Sequence, residues 1–176
     1  MNARAAAHPN LSTASSSAPP GPALSIVDRV VRTTSDVGPL VARVALGLVM
    51  FPHGAQKVLG WFGGYGLSGT MHAFTTQMGI PAVFAALAIA AEFLGSLGLI
   101  TGTLSRVAAF GVASVMVVAT LMVHLGNGFF MNWTGTQAGE GFEYHLLAVG
   151  LALVVMVKGG GAYSLDRLID KKLTQS

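Results

Sequence analysis

Glu92 is the single charged residue between Pro81 and Thr101, in a run that is otherwise apolar or small. A carboxylate midway along a membrane-crossing helix costs roughly 2.5–3.5 kcal/mol on insertion scales. A fixed partner, or a chemical task, must offset that cost. A second apolar stretch holds three basic side chains that can answer it: Arg43, His53 and Lys57. A structural ion pair of Arg43 with Glu92 would set the register of two helices. Arg43 sits about one turn inside its helix end, and Glu92 lies about ten residues, or ~15 Å, from the matching end of the next. A long Arg closes most of that gap, especially through water. The sharper reading makes Glu92 a proton acceptor or donor. The two readings stay open together.

His53 and Lys57 stand four apart, so they share one helical face. The nearby ammonium disfavours a second positive charge, so His53 is expected as a neutral imidazole. Beside a backbone opened by Pro52, that imidazole can hydrogen-bond a quinone carbonyl or relay a proton. The plainer reading has Lys57 reaching to the headgroups and His53 bonding a backbone carbonyl. His124 and His145 read as interfacial or packing residues. Two histidines on different helices can bind haem, and His with Glu140 or Glu143 can bind zinc, but neither arrangement has a local motif, so no metal is assigned. No phosphate-loop pattern occurs among the glycines, which sets nucleotides aside.

These residues need a scaffold, and composition says which kind. The chain has 176 residues, 52% of them hydrophobic and 10% charged, which places it outside the range of soluble domains. Its mean hydropathy of +0.64 agrees. There is no cysteine, so disulfides and thiolate metal sites are excluded. A sequence pI near 9.6 raises nucleic acid as a partner, but the basic residues gather at segment ends, where they report topology. The bilayer is the expected partner, and nucleic acid is not.

The expected fold is all-α: a polytopic four-helix membrane bundle with short amphipathic terminal helices. Residues 1–22, rich in Ala, Ser and Pro with Arg4 alone charged, read as a disordered tail. Leu24, Val27, Val30 and Val31 recur at helical spacing, giving an interfacial helix within 23–36. The bundle domain is 37–173, with spans at about 39–58, 81–101, 106–125 and 142–158, and a terminal amphipathic helix from Ser164 to Leu173. Pro52 should kink the first span and free the carbonyl of Leu48. A Gly-rich connection at 60–80 holds a short helix, with Ser68 expected at its N-cap, Gly79 at its stop, and Met71, Phe74 and Met78 on one face. A second polar connection, 127–141, carries Trp133 as an interface anchor.

Four spans put both termini on one side. That side holds Arg4, Arg29, Arg32, Arg106, Lys158, Arg167, Lys171 and Lys172, against Lys57 alone opposite, so the termini are expected in the cytoplasm. The ionisable groups His53, Lys57, His124, Glu140, Glu143 and His145 then gather in the outer half, with Glu92 as the floor.

The ordered motifs carry a resemblance. Arg43 with Leu46-Gly47, then Phe51-x-His53-Gly54-x-x-Lys57 and Gly63-Gly64, resemble the start of DoxX family membrane proteins. Gly79-x-Pro81, Glu92-x-x-Gly95, Gly102 with Arg106, His124, Gly128-Phe129 and Gly161-x-x-Ser164-Leu165-Asp166 continue the likeness in order, from about Pro39 to Asp166. The resemblance implies a four-helix protein of the bacterial inner (plasma) membrane. It further implies an oxidoreductase component, through relatives linked to quinone reduction or quinol oxidation. Glu92, His53 and Lys57 are the candidate catalytic residues, and His53, Lys57 and His124 the candidate quinone pocket. With no cofactor motif of its own, a redox role needs quinone, a partner redox subunit or a second copy of the chain. The rival readings are a non-enzymatic scaffold docking an outer protein through the two Gly-rich connections, and a small-solute or proton transporter.

Overall fold

The computed structural model describes residues 26–175. The tail expected at 1–22, and Leu24 of the first amphipathic helix, lie outside these. Among the described residues the fold is all-helical. A short α1 (Ile26–Val31) precedes the long α2 (Val37–Leu59), and α3 (Gly66–His72) runs on as a π-helical turn over Ala73–Gln77. Next come α4 (Ala82–Thr101) and α5 (Ser105–Ala119), the latter extended by a π-helical turn, Thr120–His124, and a 3-10 turn, Leu125–Asn127. The polar connection leads to α6 (Glu143–Lys158) and then α7 (Leu165–Gln175).

Three stretches among the described residues are long and apolar enough to cross a membrane: Val37–Leu59, Ala82–Thr101 and Ser105–Asn127. At 1.5 Å per residue each covers the hydrocarbon core of about 30 Å. The fourth bundle helix, α6, has 16 residues and reaches only about 24 Å. It packs against α2 and α5, burying Ala148, Ala152 and Val155 below a buried His145 in its first turn. The three apolar side chains meet Leu46, Met50, Leu99, Val112 and Met116 in one core.

Pro52 lies within α2, which continues through it as one helix. Proline has no N–H, so the Leu48 carbonyl loses its intrahelical partner there. The expected N-cap Ser68 falls inside α3 instead: the helix begins two residues earlier, after Tyr65, with no side-chain cap. Gly79 does end the segment, at φ +68.

Glycine sets the distance between α2 and α4. A Cβ on Gly54 would lie 2.6 Å from Phe93 Cα, and one on Gly47 would lie 3.0 Å from the Ser96 carbonyl oxygen. These positions are two turns apart on one face, so the backbones touch along their crossing. Gly54→Val should therefore lower stability by roughly 1–3 kcal/mol through overpacking. Gly150→Ala, at a position with nothing within 4 Å of the added carbon, should be neutral or stabilising. Thermal unfolding of both variants in detergent checks the contrast, and equal behaviour would remove the close-contact account.

One end of the bundle is closed by polar contacts that join distant parts of the chain. Arg43 is 1% exposed. Its Nε donates to the Gly160 carbonyl at 2.7 Å, and its two terminal nitrogens donate to the carbonyls of Leu99, Ile100, Ala162 and Tyr163 at 2.7–3.3 Å. Leu99 and Ile100 are among the last carbonyls of α4, which have no intrahelical donor. Asp166, equally buried, accepts from the backbone N–H of Leu104 at 2.7 Å and of Ser105 at 2.8 Å, capping the start of α5. Arg106 binds the carbonyls of Arg32, Met156 and Val157 beside it. Because α1 packs against α7, both described ends of the chain lie at this basic end.

The expected ion pair of Arg43 with Glu92 is therefore not formed. All five Arg43 N–H groups are spent on carbonyls at the α4 C-terminus and the Gly160–Tyr163 segment. Glu92 sits seven residues further along α4 from Leu99, about 10 Å away along the axis.

Candidate functional site: a polar-ended cavity between the helices

Glu92 finds its cation at the other end of α2. Lys57 Nζ lies 2.6 Å from Glu92 Oε2. The Gly54–Phe93 contact explains why: it brings the last turns of α2 level with the middle of α4. Lys57 follows Gly54 by nearly one turn and points to the same level. At that distance the ammonium compensates the carboxylate charge directly. Glu92 is 5% exposed, while the Lys57 side chain keeps 22%.

This pair forms the inner end of a cavity of about 1070 Å³. Its walls come from α4 and α5, its back from His53 and Lys57 of α2 and from Tyr144 and His145 of α6. Phe74 and Met78 close it from the α3 segment, with Met131 and Glu140 from the polar connection. Both π-helical turns, at 73–77 and 120–124, border it, consistent with the frequent placement of such turns at functional sites.

His53, Lys57, Glu92 and His124, expected as one pocket, all line this space. His53 is exposed, and the space before it is the cavity, with the Tyr144 ring centroid 6.3 Å away. His124 stacks at 4.1 Å on His145. Its Nδ1 is 2.9 Å from the Glu140 carbonyl. Since a carbonyl only accepts, Nδ1 carries the proton and Nε2 is left as an acceptor.

Two further residues belong here. His145, read above as packing, is 7% exposed, and its Nδ1 has no partner. Tyr144 donates only to the Met50 thioether, at 3.5 Å, a weak acceptor. Of the buried side-chain atoms among the described residues that lack a hydrogen-bond partner, His145 Nδ1 lines this cavity, while Glu92 Oε2 there is met by the Lys57 ammonium. Buried polar groups are normally satisfied, so the open His145 Nδ1 marks a place where another molecule's polar atom belongs. The sequence held a signal for both residues: Glu143-Tyr144-His145 is a polar cluster opening an apolar helix.

Other polar side chains have structural duties. Glu140 Oε2 accepts from Asn132 N–H at 2.6 Å, and Glu143 Oε1 from Met131 N–H at 2.9 Å and Trp133 Nε1–H at 3.2 Å. These bonds fold the 127–141 connection over the cavity. His72 contacts only Thr76, one turn away. Among the described residues, no three His, Asp or Glu side chains converge as a metal-binding group.

With this geometry in hand, likeness to other proteins becomes informative. The DoxX family model matches residues 38–125, which include all but the first residue of α2 and the whole of α4 and α5, and therefore Arg43, His53, Lys57, Glu92 and His124. The inner membrane protein YqjF of Escherichia coli (strain K12) is 30% identical over 142 residues, covering 81% of this chain and 99% of that one. No solved structure matches the chain.

Proposed function

Because the chain belongs to the DoxX family of membrane proteins, we propose that it is a quinone-linked component of a membrane redox system, with its site in the cavity between α4 and α5. The observation that carries this reading is the open, buried His145 Nδ1 in the same largely apolar cavity as the Lys57–Glu92 ion pair. A quinone headgroup is planar, uncharged and edged by two carbonyl oxygens, and it suits such a lining. The imidazole of His53 or His145 hydrogen-bonds one oxygen. Lys57 stabilises negative charge developing there on reduction, and Glu92, released from Lys57 as that charge forms, supplies or takes up the proton. Electrons come from a partner subunit, since the chain has no redox group of its own.

The relative's printed name supports an inner-membrane location for this chain too. The basic end, with Arg29, Arg32, Arg106, Lys158, Arg167, Lys171 and Lys172, then faces the cytoplasm, and the cavity lies in the outer half. A second reading, a scaffold for an outer protein, draws support from the 127–141 connection, which is stiffened by its own glutamates and exposes Phe130 and Trp133.

Mass spectrometry of lipid extracts from mildly purified full-length protein decides between them. Quinone at near one equivalent, lost in His53→Ala and in Glu92→Gln at unchanged protein level, is the expected result. A wild-type extract without quinone, alongside a co-purifying outer protein, would favour the scaffold.

A further inference from the structure

The cavity has a direction. Its polar lining includes His53 and Lys57 of α2 and Tyr144 and His145 of α6, while α4 and α5 supply most of its apolar lining. These two helices are held together by small residues up to one level: a Cβ on Gly98 would lie 3.2 Å from Ala108 Cβ, and one on Gly111 would lie 3.2 Å from Ala91 Cβ. Beyond Ala91 and Gly111 the cavity separates them, lined by Ala88 and Leu87 on one side and Ser114 and Val118 on the other. Leu87 and Val118, within these two spans, are exposed rather than packed against a neighbouring helix. In a lipid-embedded helix that surface meets acyl chains, so the cavity opens sideways into the bilayer.

Two more observations fit a slot. The apolar window of Ser105–Asn127 is 17% buried against protein, compared with 33% for α4 and 39% for α2, and none of its buried residues lies in the Thr120–Asn127 extension of α5, so that end is the least anchored part of the wall. The volume of about 1070 Å³ stands at the top of the usual range for ligand sites, roughly 300–1,000 Å³, and far exceeds one ring system.

We infer that the gap between α4 and α5 is a tail slot: the ligand enters head-first from the bilayer and leaves its hydrocarbon chain lying between Ala88 and Ser114. The ligand class is a long-chain amphiphile with an uncharged, hydrogen-bonding head. The head is uncharged because Lys57 and Glu92 already neutralise each other, and it meets His145 Nδ1, a side chain more than nine-tenths buried and without a partner. This rests on the quinone reading only for the identity of the head, an isoprenoid quinone; the slot serves any single-chain amphiphile.

The chain has no cysteine, so Ser114→Cys introduces a unique thiol in the slot. The folded variant is tested in synthetic-lipid nanodiscs before and after a bulky, reducible thiol reagent, and again after reductant. Modification should weaken binding of a long-chain isoprenoid quinone by about tenfold or more, the affinity of roughly two buried methylenes. A tailless quinone should change less than about twofold by the same measure, and reductant should restore the long-chain affinity. Long-chain quinone bound equally well before and after modification would overturn the slot. Should no quinone bind the unmodified protein, the quinone reading falls instead. A single-chain fatty alcohol, whose hydroxyl head is uncharged, then takes its place in the same comparison, where reversible loss supports the slot and indifference overturns it.

Discussion

Lys57→Met should be more damaging than Glu92→Leu, although the two changes break the same ion pair. Removing one member of a buried pair typically costs about 3–5 kcal/mol, because the survivor keeps its desolvation penalty without its partner. The survivors differ here. Without Lys57, the Glu92 carboxylate stays at 5% exposure with no cation beside it. Without Glu92, Lys57 is already 22% exposed near the end of α2, and its flexible stem can carry the ammonium towards the headgroups. The Lys57 variant should therefore approach the full cost and the Glu92 variant roughly half of it. The double variant should recover most of the stability, since two apolar side chains fill the site without charge. Thermal unfolding in detergent reads the cycle. Ligand binding, read in parallel, should be lost in all three variants. A double variant that is both stable and fully able to bind quinone would show that the pair only holds helices together.

Arg43→Lys should fail as a conservative exchange. Lysine offers three donors where the guanidinium uses five, so at least two buried carbonyls among Leu99, Ile100, Gly160, Ala162 and Tyr163 lose their partner. At about 1–3 kcal/mol for each unmet group, the loss is roughly 2–6 kcal/mol, comparable with the whole stability of many domains. The expected result is much less folded protein recovered from membranes. Arg43 does not line the cavity, so the folded fraction should bind ligand with unchanged affinity. A weakened affinity at normal yield would instead give Arg43 a place in the site.

The long helices were legible because lipid allows few alternatives: apolar runs near 20 residues, ended by Gly60, Gly102 and Gly159, have one folded solution. The gathering of His53, Lys57, Glu92 and His124 was legible for a related reason, since intramembrane polar groups face inward. The partner of Glu92 was not. Pairing depends on how far one helix slides along the next, and that shift is set by backbone contacts such as Gly54 against Phe93, which hydropathy does not encode. Arg43 was misassigned because its true partners are main-chain carbonyls, invisible as side-chain complementarity. Tyr144 was missed because a tyrosine at a helix start reads as an interfacial anchor. Only the third dimension places its ring beside His53.

The Arg43 contacts have a consequence for how the protein is made. Gly160 follows Arg43 by 117 residues, so the guanidinium leaves the ribosome long before the carbonyls of that segment exist. Until α4 is made the first long helix carries a cation with no intramolecular home, waiting at the headgroup level of the leaflet where it entered, and Leu99 and Ile100 then take only two of its five N–H groups. Only when the last segment emerges can this arginine withdraw fully from the phosphates, holding the ends of α2 and α4 together. Biogenesis thus ends with a locking step, and a nascent chain stalled before residue 160 would float in the membrane as loosely associated helices.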